Sequence, residues 1–312
     1  MSPPIVLSFG GGTNSVAILV EAVRRGLHID AILFADTGGE MPETYRYLWE
    51  LQPWLERHGL PSVTVVRGSF RGGDYTLEEH SLRLQRMPSK AYGRKSCSVR
   101  FKIQPQDKWR NSWAPAQEAW ARGEKVVSIT GYDADEPWRA KHKEDDKYTY
   151  SYPLIDWRMG REECAHAIMR AGIALPGKSA CFYCPSSRPA EVAKLAASHP
   201  DLFGRGLAME EAAAPTMRGA VRGLGSNFSW RSVGESVRTQ AALPIARDID
   251  DDCGCYDGAR DADRILAPDY CGSFKSVVPL PRESSTDWPL ARDWAGTTGP
   301  AWSQDELFGG TP

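Results

Sequence analysis

The first half of the chain alternates between short, nearly continuous apolar runs and longer segments in which apolar residues recur at helical spacing. Residues 4–9 (PIVLSF), 31–35 (AILFA), 63–66 (VTVV) and 126–130 (VVSIT) are runs of the kind that forms strands buried on both faces. Between them, Ser15–Arg25 places Val16, Leu19, Val20 and Val23 on one helical stripe. Residues 42–58 do the same with Tyr45, Leu48, Leu51 and Leu55, with Pro42 suited to the first turn. This alternation predicts an α/β chain: an open, mostly parallel twisted sheet with helices on both faces. Residues 69–122 form a long insertion, with helices expected near 76–86 and 105–121 and the stretch 87–100 closing over the site. Helices are expected again at 160–171, 188–198 and 200–213. From about 244 the chain is rich in Pro, Gly, Asp and Trp and loses its periodicity. Three regions follow: 1–158 with the insertion, a helical region 159–243, and an irregular tail 244–312.

Composition changes this picture little. The 312 residues are 41% hydrophobic and 25% charged, as in ordinary globular chains, and the formal charge of −2 names no nucleic-acid partner by itself. The apolar run at 4–9 has no basic residues before it and is too short for a secretion signal. No stretch reaches the roughly 18 apolar residues of a membrane helix, so the expectation is a cytoplasmic enzyme without a membrane partner. Seven cysteines without a secretion signal point to metal binding or catalysis rather than to disulfides.

The candidate chemistry begins at Ser8-Phe9-Gly10-Gly11-Gly12-Thr13-Asn14-Ser15, a glycine turn between a predicted strand and a predicted helix. Glycines let backbone N–H groups approach phosphate oxygens, and the helix N-terminus adds partial positive charge. Thr13, Asn14 and Ser15 add short polar side chains that can also cap the helix. A plain strand–helix turn would use the same residues, and the spacing matches neither the Walker nor the Rossmann pattern. A second candidate lies in Asp36 and Thr37, at the carboxyl end of the second strand, where open α/β sheets bind ligands. A third is the segment Gly131 to Arg139 after the fourth strand. There Arg139 can meet phosphate as a fork, or form a surface ion pair with Glu136.

Taken in order, these blocks resemble the phosphoadenosine-phosphosulfate (PAPS) reductase family of the PP-loop, or adenine nucleotide alpha-hydrolase-like, superfamily. Gly10 to Ser15 fill the places of the S-G-G-x-D-S loop, with Gly10 for the serine and Asn14 for the aspartate; Ser8 is the candidate substitute hydroxyl. Residues 34–45 resemble the D-T-G-x-x-x-P-E-T-Y block. Gly131, Glu136 and Arg139 match a G-x-x-x-x-E-S-x-x-R block, with Pro137 for the serine. The resemblance spans about two-thirds of the chain. It implies an adenine nucleotide ligand, ATP or else adenylylsulfate or PAPS, held at Ser8, Gly10–Ser15, Asp36, Thr37 and Gly131, with Mg²⁺ across the phosphates.

Cys181-Phe182-Tyr183-Cys184 pairs two thiols at a spacing that suits one metal or one cluster. Cys97 lies in a segment resembling the C-C-x-x-R-K-x-x-P block of the family's iron–sulfur branch, with Ser98 for the second cysteine, Lys102 for the lysine and Pro105 for the proline. That resemblance implies a [4Fe-4S] cluster on Cys97, Cys181 and Cys184, with a fourth ligand among Cys164, Cys253, Cys255 and Cys271 or an open iron. Zinc is the second choice for the same ligands, and unrelated buried cysteines are the plain alternative. Asp252-Cys253-Gly254 echoes the family's nucleophilic cysteine weakly, within an acidic run from Asp248 to Asp263 that disfavours a thiolate.

Residues 81–110 carry nine Lys or Arg against Asp107 alone, a net of +8. In a chain of net −2 this asymmetry marks a site for polyphosphate, sulfate or a nucleic-acid backbone, or else a solvated face. The combined expectation is an enzyme that adenylates a substrate oxygen with release of pyrophosphate and then accepts sulfur from a cluster-bound donor. Lys102, Glu136 and Arg139 are its catalytic candidates, with a sulfur or electron donor and a nucleic acid as partners. A sulfonucleotide reductase releasing sulfite and a non-catalytic nucleotide-binding subunit are the two rivals.

Overall fold

A computed structural model of the chain describes residues 2–239. The tail 244–312, with Cys253, Cys255, Cys271 and the acidic run, lies outside the described residues. Strand β1 (Ile5–Phe9) leads into α1 (Thr13–Arg25), β2 (Ala31–Asp36) into α2 (Pro42–Arg57), and β3 (Val63–Arg67) into the insertion. The insertion holds a small hairpin, β4 (Ser69–Phe70) and β5 (Gly73–Asp74), then α3 (Leu77–Leu84) and a 3-10 turn Ser89–Tyr92. The short α4 (Ser96–Ser98), a π-helical segment Val99–Ile103, α5 (Gln104–Ser112) and α6 (Ala114–Ala121) complete it. There follow β6 (Val126–Thr130), β7 (Tyr148–Ser151), α7 (Pro153–Asp156), α8 (Arg161–Arg170), α9 (Pro189–Ser198), α10 (Pro200–Ala213) and α11 (Trp230–Thr239).

The central sheet has the order β3-β2-β1-β6-β7 and every pairing is parallel. The chain builds outward from β1 to β3, then returns to β1's other side with β6. β2 sits between two strands, and all six of its residues are buried, which is why its sequence is an unbroken apolar run ending in Asp36. Val6, Ala31, Leu33 and Val126 share a cluster with Ala116 of α6, flanked by Trp109, Trp113 and Trp120. Each of the fully buried valines and Leu33 stabilises the fold by about 1.5–3 kcal/mol. Helix α1 packs on α8 and ends where Gly26 turns left-handed at φ 66°. Its buried Glu21 ties down Arg24 at 2.6 Å and Arg25 at 2.8 Å in the last turn.

The α/β expectation holds, with one strand more than expected in the central sheet and the small β4–β5 hairpin besides. Tyr148–Ser151 joins the sheet edge beside β6, although its sequence, YTYS, has no apolar run. The helix expected over 105–121 is two helices. Trp113 is extended, with ψ 118°, because Pro115 two residues later cannot donate to the ladder and its ring would strike the carbonyl of residue 111. The helix expected at 76–86 is α3, held by a capping box between Thr76 and Glu79.

A second apolar cluster joins the insertion to the helical region. Leu77, Met87 and Phe101 pack with Phe182 and Tyr183 of the Cys-x-x-Cys segment and with Leu195, Phe203 and Trp230 of α9, α10 and α11. Its polar anchor is Glu210, buried at 6% exposure. The Glu210 carboxylate accepts from the backbone N–H groups of Leu224 (2.7 Å), Trp230 (2.9 Å) and Arg231 (3.2 Å), closing the N-terminus of α11. Glu210→Ala leaves three such donors unpaired. The expected loss is about 3 kcal/mol in urea unfolding, and the Gln variant should lose less. A loss under about 0.5 kcal/mol would show that the carboxylate does not hold this helix.

Candidate functional site

Three strand ends meet at one edge of the sheet. β1 ends in the turn Gly10–Gly12, β6 in Gly131, and β2 in Asp36. Since the order reverses between β1 and β6, the first two flank the switch point where open α/β sheets leave a crevice. Gly11 adopts φ 71°, and Gly12 caps α1 with no side-chain hydrogen bond. No acidic residue lies in the first turn of α1. The first N–H groups of a thirteen-residue helix, on an uncapped glycine turn, therefore face an anion-compatible field.

Gly131 comes close to this turn: a Cβ on it would lie 3.2 Å from the Ser15 backbone nitrogen. The Asn14 side-chain amide donates to the Gly131 carbonyl at 3.3 Å and to the Asp133 carboxylate at 2.8 Å. Asp133 is buried, at 4% exposure. The Ser15 hydroxyl donates back to the Gly12 carbonyl at 2.9 Å, and Thr13 is buried. Ser8, the candidate substitute hydroxyl, accepts from the buried Arg110 at 2.7 Å. Ser179, just before the Cys-x-x-Cys segment, donates to the Gly10 carbonyl.

Asp36 is a structural hub. Its carboxylate accepts from the Gly38 backbone (2.8 Å), the Tyr45 hydroxyl (2.7 Å) and the Arg67 guanidinium (3.0 Å), tying the end of β2 to α2 and β3. Burial first, and then the Asp36 and Glu40 charges, hold the Tyr45 phenol well above its usual range, so it stays a donor. Thr37 turns toward a different group. Its hydroxyl lies 3.0 Å from the Cys181 sulfur and 3.3 Å from Glu40, and Lys102 pairs with the buried Glu40 at 3.0 Å.

The Cys-x-x-Cys segment is docked on this corner by its backbone. Phe182 donates to Gly39 at 2.8 Å, and Met41 to Ala180 at 3.2 Å. A Cβ on Gly39 would overlap the Tyr183 ring, so this glycine makes room for Tyr183. Desolvation, then the Glu40 charge, push the Cys181 thiol well above its ordinary range, with Lys102 opposing. Cys164 is fully buried in α8, and burial raises its thiol to about 12.

The structure thus brings Ser8, Gly10–Ser15 and Gly131 to one place, and Thr37, Lys102, Cys181 and Cys184 to a neighbouring one. Cys97 and Cys181 both pack against the second apolar cluster. Among the described residues, no three His, Cys, Asp or Glu side chains converge as a metal-ligand set. Cys97, Cys181 and Cys184 as placed do not form a three-thiolate iron–sulfur or zinc centre. Glu136 and Arg139 pair with each other at 2.5 Å, with the Arg139 guanidinium 4.1 Å over the Tyr132 ring. This is the ion-pair arrangement weighed against a phosphate fork.

Hard oxygen donors for Mg²⁺ are a different matter. Asn14 Oδ1 is buried without a hydrogen-bond partner, and the Asp133 carboxylate lies beside the same side chain. Mg²⁺ takes one or two such ligands and completes its shell with phosphates and water, so this pair would fit it once the Asn14 amide, whose nitrogen faces Asp133, turns its oxygen to the same side. Asp133, Glu40, Arg110 and Ser179 were not singled out from sequence; Asp133 lay in plain sight within the quoted block 131–139.

No protein-family model matches the chain, and no curated protein matches its sequence. No helix among the described residues is long and apolar enough to cross a membrane. One consequence of the geometry can be measured directly. Asn14→Asp sets two carboxylates about 3 Å apart in a buried place, which should cost about 2 kcal/mol in metal-free urea unfolding and be largely recovered in millimolar Mg²⁺. Equal stability with and without Mg²⁺ would remove this pair as a cation site.

Proposed function

We propose that the chain is an adenine-nucleotide-binding enzyme of the PP-loop type, which adenylates a substrate oxygen and releases pyrophosphate. The observation that carries this reading is the uncapped glycine turn at the N-terminus of α1, closed across the switch point by Gly131 and by the Asn14–Asp133 contact.

In this reading the backbone N–H groups of Gly10–Ser15 bind the phosphates, and the α1 N-terminus stabilises their charge. Asn14 Oδ1 and Asp133 would hold Mg²⁺, which supplies charge neutralisation across the phosphates. Asp36, fixed by three donors, orients the end of β2 beside the nucleotide. The substrate oxygen attacks the α-phosphorus, the bond from that phosphorus to the bridging oxygen breaks, and pyrophosphate leaves. The substrate then carries AMP, a good leaving group, and a sulfur nucleophile of the hydrosulfide class can displace it. The Cys181–Cys184 face is our candidate for the side from which the sulfur donor approaches.

Asn14 favours a second reading. Its amide is spent on Gly131 and Asp133 where the resembling loop carries a carboxylate. Such a turn could hold adenylylsulfate or PAPS, which need no pyrophosphate cleavage; a dithiol reductant would supply the two electrons, and sulfite and the adenosine nucleotide would leave as products.

Gly10 offers a clean test. A Cβ there meets nothing within 4 Å, so Gly10→Val should keep the parent's melting temperature while occupying the phosphate space. ATP·Mg²⁺ binding by calorimetry should weaken at least about tenfold, roughly 1.4 kcal/mol, in this variant. Unchanged ATP affinity would overturn the reading. Tight adenylylsulfate binding with sulfite release and no pyrophosphate from ATP would select the second.

A further inference from the structure

The insertion, together with Arg67, Pro215, Thr216 and Arg218, lines an open cavity of about 1130 Å³ that the nucleotide reading does not use. Six cations line it: Arg67, Arg86, Arg94, Arg100, Lys108 and Arg218, with no Asp or Glu among the lining residues. Arg67 is engaged with Asp36 and Asp74. Among the described residues, the other five pair with no carboxylate; Lys108 reaches only the Ser69 hydroxyl at 3.4 Å. The local field is positive enough to act on a neighbour. Burial first, then the Arg100 and Arg83 charges, hold the His80 imidazole below its usual range, so it stays neutral within the lining.

Charge is not the only feature. Leu84 and Val99 line the same cavity with 38% and 43% of their surface exposed, unusual for large apolar side chains in such a basic place. Tyr92 lines it as well, with a hydroxyl that is buried and has no hydrogen-bond partner, as has His80 Nδ1. Five cations exceed what one nucleoside phosphate neutralises, and the volume is above the usual range for a small-molecule pocket. A string of phosphates would satisfy the cations, and bases would cover Leu84, Val99 and the Tyr92 ring. Inorganic polyphosphate offers nothing for the apolar positions, an acidic peptide lacks the regular phosphate spacing, and a flat membrane cannot enter a concavity.

We propose that this cavity binds a single strand of nucleic acid, several nucleotides long, as the macromolecular substrate presented to the nucleotide site. Only the word substrate rests on the adenylation reading; the binding does not. Arg67 joins the two places, since it lines the cavity and holds Asp36 at the end of β2.

The test is fluorescence anisotropy on the full chain, with labelled oligothymidine and oligouridine of about twelve nucleotides, spanning the reach of a single-strand groove. The affinity should fall with salt at a log–log slope of about −3.5, from five phosphate contacts. Arg94→Ala/Arg100→Ala removes two exposed side chains. It should weaken binding about tenfold and flatten the slope by about 1.4. Lys108→Ala should flatten it by about 0.7 and serves as a second variant should the first misfold. Preference for DNA or for RNA supports the proposal equally and names the strand. It is overturned if neither oligonucleotide binds, if the variants bind like the parent, or if polyglutamate or tripolyphosphate binds as tightly. ATP binding measured alongside separates the two readings. Oligonucleotide binding without ATP binding retires the nucleotide site alone, and the converse retires this one.

Discussion

The structure depends on how closely β1 and β6 come together at their carboxyl ends. Parallel pairing brings Ser8 level with Thr130, so the two chains leave the sheet side by side and must diverge at once. Gly131 makes that divergence sterically feasible, because any side chain there would press on the first turn of α1. Asn14 then bridges the gap to Gly131 and Asp133. The glycine turn, the uncapped helix end and the buried Asp133 all meet at this one close approach.

Around that point the remaining polar contacts serve to hold strand ends in place. Asp36 collects Gly38, Tyr45 and Arg67, so the tip of β2 cannot swing away from β3 or α2. Glu40, Lys102, Thr37 and Cys181 form a neighbouring knot in which a buried carboxylate has one lysine partner and one oxygen without a partner. The insertion shares its apolar cluster with α9, α10 and α11 rather than hanging from the sheet as a loop. This explains how a stretch with net +8 can be ordered: Phe101 and Met87 anchor it inward while Arg86, Arg94 and Arg100 line the cavity.

The sheet was legible because both faces of its central strands are covered. AILFA and VVSIT are apolar throughout, and no helical period fits runs so short. β7 escaped because an edge strand needs apolar residues on only one side, and Tyr148–Ser151 supplies them as tyrosines. α11 also went unread, since Trp230 follows the Gly-, Ser- and Asn-rich stretch before it. The glycine turn and Asp36 could be placed from motif and strand end together. The use of Lys102 on Glu40 and the self-pairing of Glu136 with Arg139 depend on tertiary positions that residue spacing does not encode.

Amide hydrogen exchange with and without ATP·Mg²⁺ tests the central claim most directly. Slowed exchange confined to the peptides covering residues 8–16 and 128–136 is the predicted result, since a nucleotide in the switch-point crevice must shield both strand ends together. Protection of neither peptide, or protection only within the insertion, would contradict it.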